Sequence, residues 1–337
     1  MQMKKVIIAA VLLLCVGTVS AQQTLLNLSL ETRVDYQRDE IDGKQVPDNS
    51  GFKGRYLNIM LNGDIGSGFT YAYRQRLNKQ NASESFFDAT DWLYLTYATP
   101  NDRWEFSAGK QAVAIGGYEY DISPIDCYFY SEYCNNIACF QFGASAMYKL
   151  KGGNDSLLAQ VTESPFRTEK EMFAYNLMWL GRHGVFQSLY SLNALEWMPG
   201  KYVYYIALGN RFNFGSVECE IDLMNRATED HAFFLRDYSV MGFVKIALGS
   251  HVNLLAKVTH DVNKTTAVGD LCVVPGTELT RVGSVVEYYP IKGKRNVRLH
   301  AGYNYTFGKA DERNTLRDKQ TMIDVGLTWR LRFTPFS

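Results

Sequence analysis

Beyond its first 21 residues the chain has no apolar run approaching the roughly 20 residues that a helix needs to cross a bilayer, which excludes a helical membrane protein. Charge of one sign is not in excess: 35 basic residues stand against 35 acidic ones, and no basic tail or cluster supplies the footprint of a nucleic-acid binder. Histidine is scarce, at 5, and the 6 cysteines show no CxxC or Cys/His spacing that would hold a metal. What is abundant is aromatic: 22 Tyr, 19 Phe and 5 Trp without a long hydrophobic stretch. A transmembrane β-barrel predicts this pairing, because only alternate strand residues meet lipid and aromatic girdles mark both interfaces.

The opening is of a different kind. Lys4 and Lys5 precede an apolar run from Val6 to Val19, and Val19-Ser20-Ala21 has the small-residue pattern of a cleavage site. Residues 1–21 therefore read as a secretory signal peptide, with 22–337 as a single exported domain. Cys15 is not a lipid-anchor cysteine, since Leu14 stands where a small residue is expected. Of the remaining cysteines, Cys127, Cys134 and Cys139 crowd one segment, and both a local disulfide and free thiols remain open.

From Leu26 to Gln37 the chain alternates strictly, Leu28, Leu30, Val34 and Tyr36 on one parity and Ser29, Glu31, Arg33 and Asp35 on the other. The last segment does the same, with Ile323, Val325, Leu327, Trp329, Leu331 and Phe333 against Asp324, Thr328, Arg330 and Arg332. Similar segments between them bring the expected number of strands to about sixteen in an all-β, antiparallel up-and-down transmembrane barrel. The links alternate in length. Tight turns are expected at 62–64, 99–102, 151–154, 181–184, 248–250 and 290–294, with a less regular one near 212–215. Longer polar links fall near 39–53, 78–88, 112–136, 164–171, 195–201, 227–237, 262–278 and 307–320. Short periplasmic turns and long extracellular loops produce that alternation, and a water-soluble sandwich has no reason to. The register puts Leu327 in lipid and Thr328 in the lumen, so Leu327→Lys should be costly and Thr328→Lys nearly silent.

No motif points to catalysis. GDIGSG at 63–68 has the wrong spacing for a nucleotide loop and reads as a strand turn, and Ser145 in GASAM lacks the second glycine of a nucleophile elbow. Among His183, His231, His251, His260 and His300, only His300 lies plainly on a polar strand face, and no serine nucleophile accompanies it. The longest link, near 112–136, is the candidate constriction. Gly116-Gly117 supplies a bend, and Lys110, Tyr118, Glu119, Tyr120, Asp121 and Asp126 are the expected constriction residues. Arg33, Arg74, Arg76, Arg281, Arg298 and Arg330 are the expected pore lining. No cofactor, metal ligand or catalytic residue is expected.

The opening strand with its polar link, the GKQAVAIGGYEYDISPID segment after the fifth strand and the aromatic-ending last strand together resemble the phosphate-selective porin O and P family, in its Bacteroidetes form. The resemblance implies a sixteen-stranded barrel, trimeric, passing ions and small solutes by diffusion, phosphate among the anions. Its expected partners are outer-membrane lipid and lipopolysaccharide, the barrel-assembly machinery and the solutes. Selectivity does not transfer with the resemblance: the inward loop begins with Lys110 and then carries Glu119, Asp121, Asp126 and Glu132, where anion-selective members place lysines. A barrel enzyme acting on lipid or peptide, and a barrel adhesin or assembly component, are the rival classes.

Overall fold

A computed structural model describes residues 26–79, 86–228, 234–264, 269–309 and 319–333. Residues 1–25 and 334–337, and with them the expected signal peptide, lie outside the described residues, as does His231.

The alternating segments form sixteen antiparallel strands that close on themselves. They are β1 (Asn27–Ile41), β2 (Gly51–Gly66), β3 (Phe69–Arg76), β4 (Thr90–Ala98), β5 (Trp104–Ala112), β6 (Phe140–Lys149), β7 (Asp155–Glu163), β8 (Phe173–His183), β9 (Phe186–Met198), β10 (Lys201–Asn213), β11 (Val217–Thr228), β12 (Asp237–Leu248), β13 (Val252–Asn263), β14 (Glu278–Tyr288), β15 (Val297–Lys309) and β16 (Gln320–Phe333). A two-residue strand, Lys44–Gln45, pairs with the end of β1 in the first long link. Closure comes from β1 against β16, with Leu28 opposite Phe333 and Ile41 opposite Gln320. A closed ladder pairs the backbone amides that hydrocarbon would otherwise leave unsatisfied, at several kcal/mol each. Among the described residues no helix is long and apolar enough to cross a membrane.

One parity of the strands faces outward and is mostly apolar. Leu95, Leu177, Leu192, Ile221, Val258, Ile323 and Val325 are exposed on it. At the short-turn end aromatic pairs ring the barrel, Trp104 on Tyr148 at 4.7 Å between centroids and Trp179 on Tyr190 at 5.9 Å, where amphipathic rings favour a membrane interface.

Two expected turns move. Asn62-Gly63-Asp64 lies inside β2; the turn comes at Ser67-Gly68, after Asp64 Oδ1 accepts a hydrogen bond from Gly66 N (2.7 Å) and a bulge forms between them. The long link expected at 195–201 is absent. Pro199-Gly200 joins β9 to β10 directly, with Gly200 at φ 74° and its N–H bonded to Glu196 Oε1 (2.7 Å). Polar Glu196 marks a cap on a tight turn there, not the start of a loop. The described cysteines Cys127, Cys134, Cys139, Cys219 and Cys272 are all free thiols.

Thr328→Lys is not expected to be silent after all. Thr328 is inward but only 1% exposed, accepts a hydrogen bond from Arg298 Nη2 (3.2 Å), and stands opposite both Arg33 and Arg298. A lysine there adds a third cation at a buried level where solvent screens charge weakly. Leu327→Lys, on the outward parity, should cost about 2–4 kcal/mol in lipid. Urea titration in vesicles should find both variants destabilised, and a neutral Leu327→Lys would show that this face does not meet hydrocarbon.

Candidate functional site

The link from β5 to β6, residues 113–139, folds into the barrel instead of over it. It carries two single-turn helices, α1 (Tyr118–Asp121) and α2 (Glu132–Asn136). Gly117 at φ 104° makes the bend expected of Gly116-Gly117. Close approach is the second reason for glycine: Gly116 N donates to Ser191 Oγ (2.8 Å) and Gly117 N to Leu189 O (3.1 Å), and a Cβ on Gly116 would stand 2.5 Å from Leu189 O.

From that bend the loop is tied to the inner wall by charge. Glu119 Oε1 lies 2.7 Å from Lys257 Nζ and its backbone N–H donates to Asp222 Oδ2 (2.7 Å). Asp126 accepts from Arg298 Nη1 and Arg330 Nη2, both at 2.7 Å. Burial pushes the Asp126 carboxyl up, but the two guanidinium groups outweigh it and hold it below its ordinary range. Glu132 pairs with Arg281, and Tyr128 Oη donates to Glu287 (2.7 Å). Arg33 Nη1 donates to Cys127 O (2.8 Å), and Tyr118 lies under Arg211, 3.9 Å from guanidinium to ring centroid. These partners belong to β1, β10, β11 and β13–β16. No described hydrogen bond or ion pair ties residues 113–137 to β2, β3 or β4.

The six expected constriction residues thus separate. Glu119 and Asp126 are latches whose charge is spent on the wall. Tyr118 packs on Arg211, and Tyr120 donates to Cys139 O (3.2 Å) beside an apolar cluster. Asp121 alone is exposed. Lys110 does not join them: it stands opposite Leu93 and Phe142 on the outward parity of β5, its Nζ bonded to Phe87 O (2.5 Å). Alternation counted from Gly109 would have put it there.

All six expected lining arginines face inward. Arg33, Arg281, Arg298 and Arg330 hold the loop, whereas Arg74 and Arg76 share Asp91 Oδ2 (2.7 and 2.8 Å) on the wall to which no described bond ties the loop. Lys53 and Arg55 of β2 face the same side, and Arg55 reaches Asp35 only at 3.4 Å.

Sequence reasoning missed a second inward link. Residues 269–277 bring Cys272 and Val273, both 0% exposed, onto Tyr205, Leu195, Val203 and Met224, where they close an apolar core inside the lumen together with Val113, Ile115, Tyr133 and Ile137 of the first loop. Arg226, fully buried, anchors this link through Asp270 (2.6 Å). The signal was the apolar run Leu271-Cys272-Val273-Val274 in a supposedly solvated loop.

His300 Nε2 sits between Asp324 Oδ1 (2.7 Å) and Asp35 Oδ1 (3.4 Å). Among the described residues the one hydroxyl–imidazole hydrogen bond is His260 to Thr280 (2.9 Å), on the outward parity.

A closed sixteen-stranded barrel with a loop folded into its lumen is the architecture of an outer-membrane porin. The model described as phosphate-selective porin O and P matches residues 26–192, which places that stretch in this family. No curated protein matches. The fold is similar to an anion-selective porin from Comamonas acidovorans, with a TM-score of 0.63 at 11% identity, covering 91% of this chain and 99% of that one. It is similar also to the outer membrane channel DcaP of Acinetobacter baumannii (0.60, 11%, covering 91% and 96%) and to the trimer form of OmpT from Vibrio cholerae (0.59, 12%, covering 91% and 100%).

Proposed function

We propose that this porin is a non-catalytic diffusion channel whose passage runs along β2–β4 and favours small anions, phosphate included. The observation that carries the reading is the one-sided tether of residues 113–137: every described ion pair of the loop goes to the other walls, so solute and water have the β2–β4 side. On β2–β4 themselves Lys53, Arg55, Arg74 and Arg76 stand against two carboxylates, Asp64 and Asp91, while Asp35 and Asp39 of the neighbouring β1 lie beside Arg55 and Lys53. Surplus charge of one sign at a narrow level sets the sign of the permeant ion.

In this reading residues 1–21 direct export, lipopolysaccharide and outer-membrane lipid surround the barrel, the assembly machinery inserts it, and three copies associate as in the trimer form of the Vibrio protein. Purified protein in a planar bilayer under a potassium chloride gradient should give a reversal potential displaced toward chloride, and Arg55→Gln with Arg76→Gln should move it back toward zero. A cation-selective parent would overturn the anion reading, and a parent that inserts without conducting would overturn the channel.

A further inference from the structure

The wall to which the loop is not bonded is aromatic as well as cationic. Tyr56 of β2 and Trp92 and Tyr94 of β4 are inward and partly exposed, and Phe140 begins β6 beside them. Trp92 and Phe140 meet edge to face, 6.4 Å between centroids. Arg74 stacks between them, 4.3 Å from the Trp92 centroid and 5.3 Å from that of Phe140, while Arg76 lies 6.0 Å from Phe140. One carboxylate, Asp91, serves both guanidinium groups, and it engages Arg76 at Nε. Both Nη groups of Arg76 are therefore without a hydrogen bond among the described residues, on a side chain 27% exposed. The phenol groups of Tyr56 and Tyr94 likewise have no described hydrogen-bond partner.

We propose that this strip is a subsite for anions carrying a flat ring, with a monocyclic aromatic carboxylate as the matching class. It rests on the channel reading above. A guanidinium presents a planar fork to either carboxylate or phosphate, so Arg76 and Arg55 alone would take any small anion. The ring faces add the discrimination: offset or edge contact with Tyr56, Trp92 or Tyr94 is open to an aryl group and not to acetate or inorganic phosphate. Stacking of Arg74 also fixes Trp92 in place, so a solute ring meets a preformed platform and orders little on arrival.

The test uses the full protein in planar bilayers, with chloride current recorded while benzoate, acetate or phosphate is added. Benzoate should reduce the current at an about three- to tenfold lower concentration than acetate or phosphate, the range that one aromatic contact supplies. Trp92→Leu and Tyr94→Leu should each narrow that ratio, and Arg76→Gln should weaken all three anions together. Slower migration on unheated gels would identify a variant that has not folded, and the milder Tyr94→Phe and Trp92→Phe, which keep a ring, should retain the ratio. A conducting parent blocked equally by benzoate and acetate overturns this inference alone. A parent without conductance overturns the channel reading and this inference with it.

Discussion

Gly209→Val should raise single-channel conductance at least twofold by lifting the inward loop from its wall. A Cβ at Gly209 would stand 2.7 Å from the Gly117 Cα and 3.1 Å from Leu189 O, both backbone atoms that cannot swing away. The bend must therefore move toward β2–β4 or up out of the lumen, and relief is easier upward, where Asp121 is already exposed. Acid should act in the same direction. Because the folded Asp126 carboxyl is held below its ordinary range, its latch on Arg298 and Arg330 is complete at neutral pH and is lost as pH falls through that depressed value. Conductance should accordingly rise on acidification in the parent and not in Asp126→Asn. If Gly209→Val folds, shown by heat-modifiable migration, and conducts like the parent, the loop does not form the narrowest level. Excision of 116–135 is the poorer experiment. It strips Tyr133 and Cys134 from Leu195, Val203, Tyr205 and Met224, and each side chain returned to water costs about 1.5–3 kcal/mol.

The strand ladder was legible because its cause is local. Period-two alternation in Leu26–Gln37 and Ile323–Phe333 states which face meets lipid, and a one-residue slip would turn Arg33 and Asp324 outward. Turns were legible where glycine and polar residues cluster, and failed at Asn62-Gly63-Asp64, where a bulge lets the strand run on. The inward loop was found from its length and glycine pair, but its chemistry was not. Glu119, Asp126 and Glu132 read as free carboxylates because their partners, Lys257, Arg298, Arg330 and Arg281, are more than a hundred residues away in sequence. Alternation assigned those cations to the lumen without saying that the loop would consume them. Nor could it show that the lumen beside β10 and β11 is apolar, since Val203, Tyr205 and Ala207 share parity with Arg211.

Asp270→Ala should destabilise the barrel by about 3–5 kcal/mol, the cost of leaving a buried charge without its partner. Arg226 is 0% exposed and Asp270 3%, so water cannot take over the lost contact. The guanidinium would keep Ser239 Oγ (2.7 Å) and Val262 O (2.9 Å), neutral acceptors, and the nearest remaining carboxylate would be Asp261, which reaches it only through Ser239. Asp270 does a second thing: its Oδ1 accepts from the N–H groups of Cys272 and Val273, both at 3.1 Å, and so holds the second inward link in a tight turn over the apolar core. Asp270→Asn keeps an acceptor for those amides and loses the charge, which separates the two contributions. Pairing Asp270→Ala with Arg226→Met removes both charges and fills the space, and should recover much of the loss. Urea unfolding in lipid vesicles measures all four proteins. If Asp270→Ala stays within about 1 kcal/mol of the parent, the second link is not held by this pair, and the apolar contacts of Cys272 and Val273 alone keep it inside the barrel.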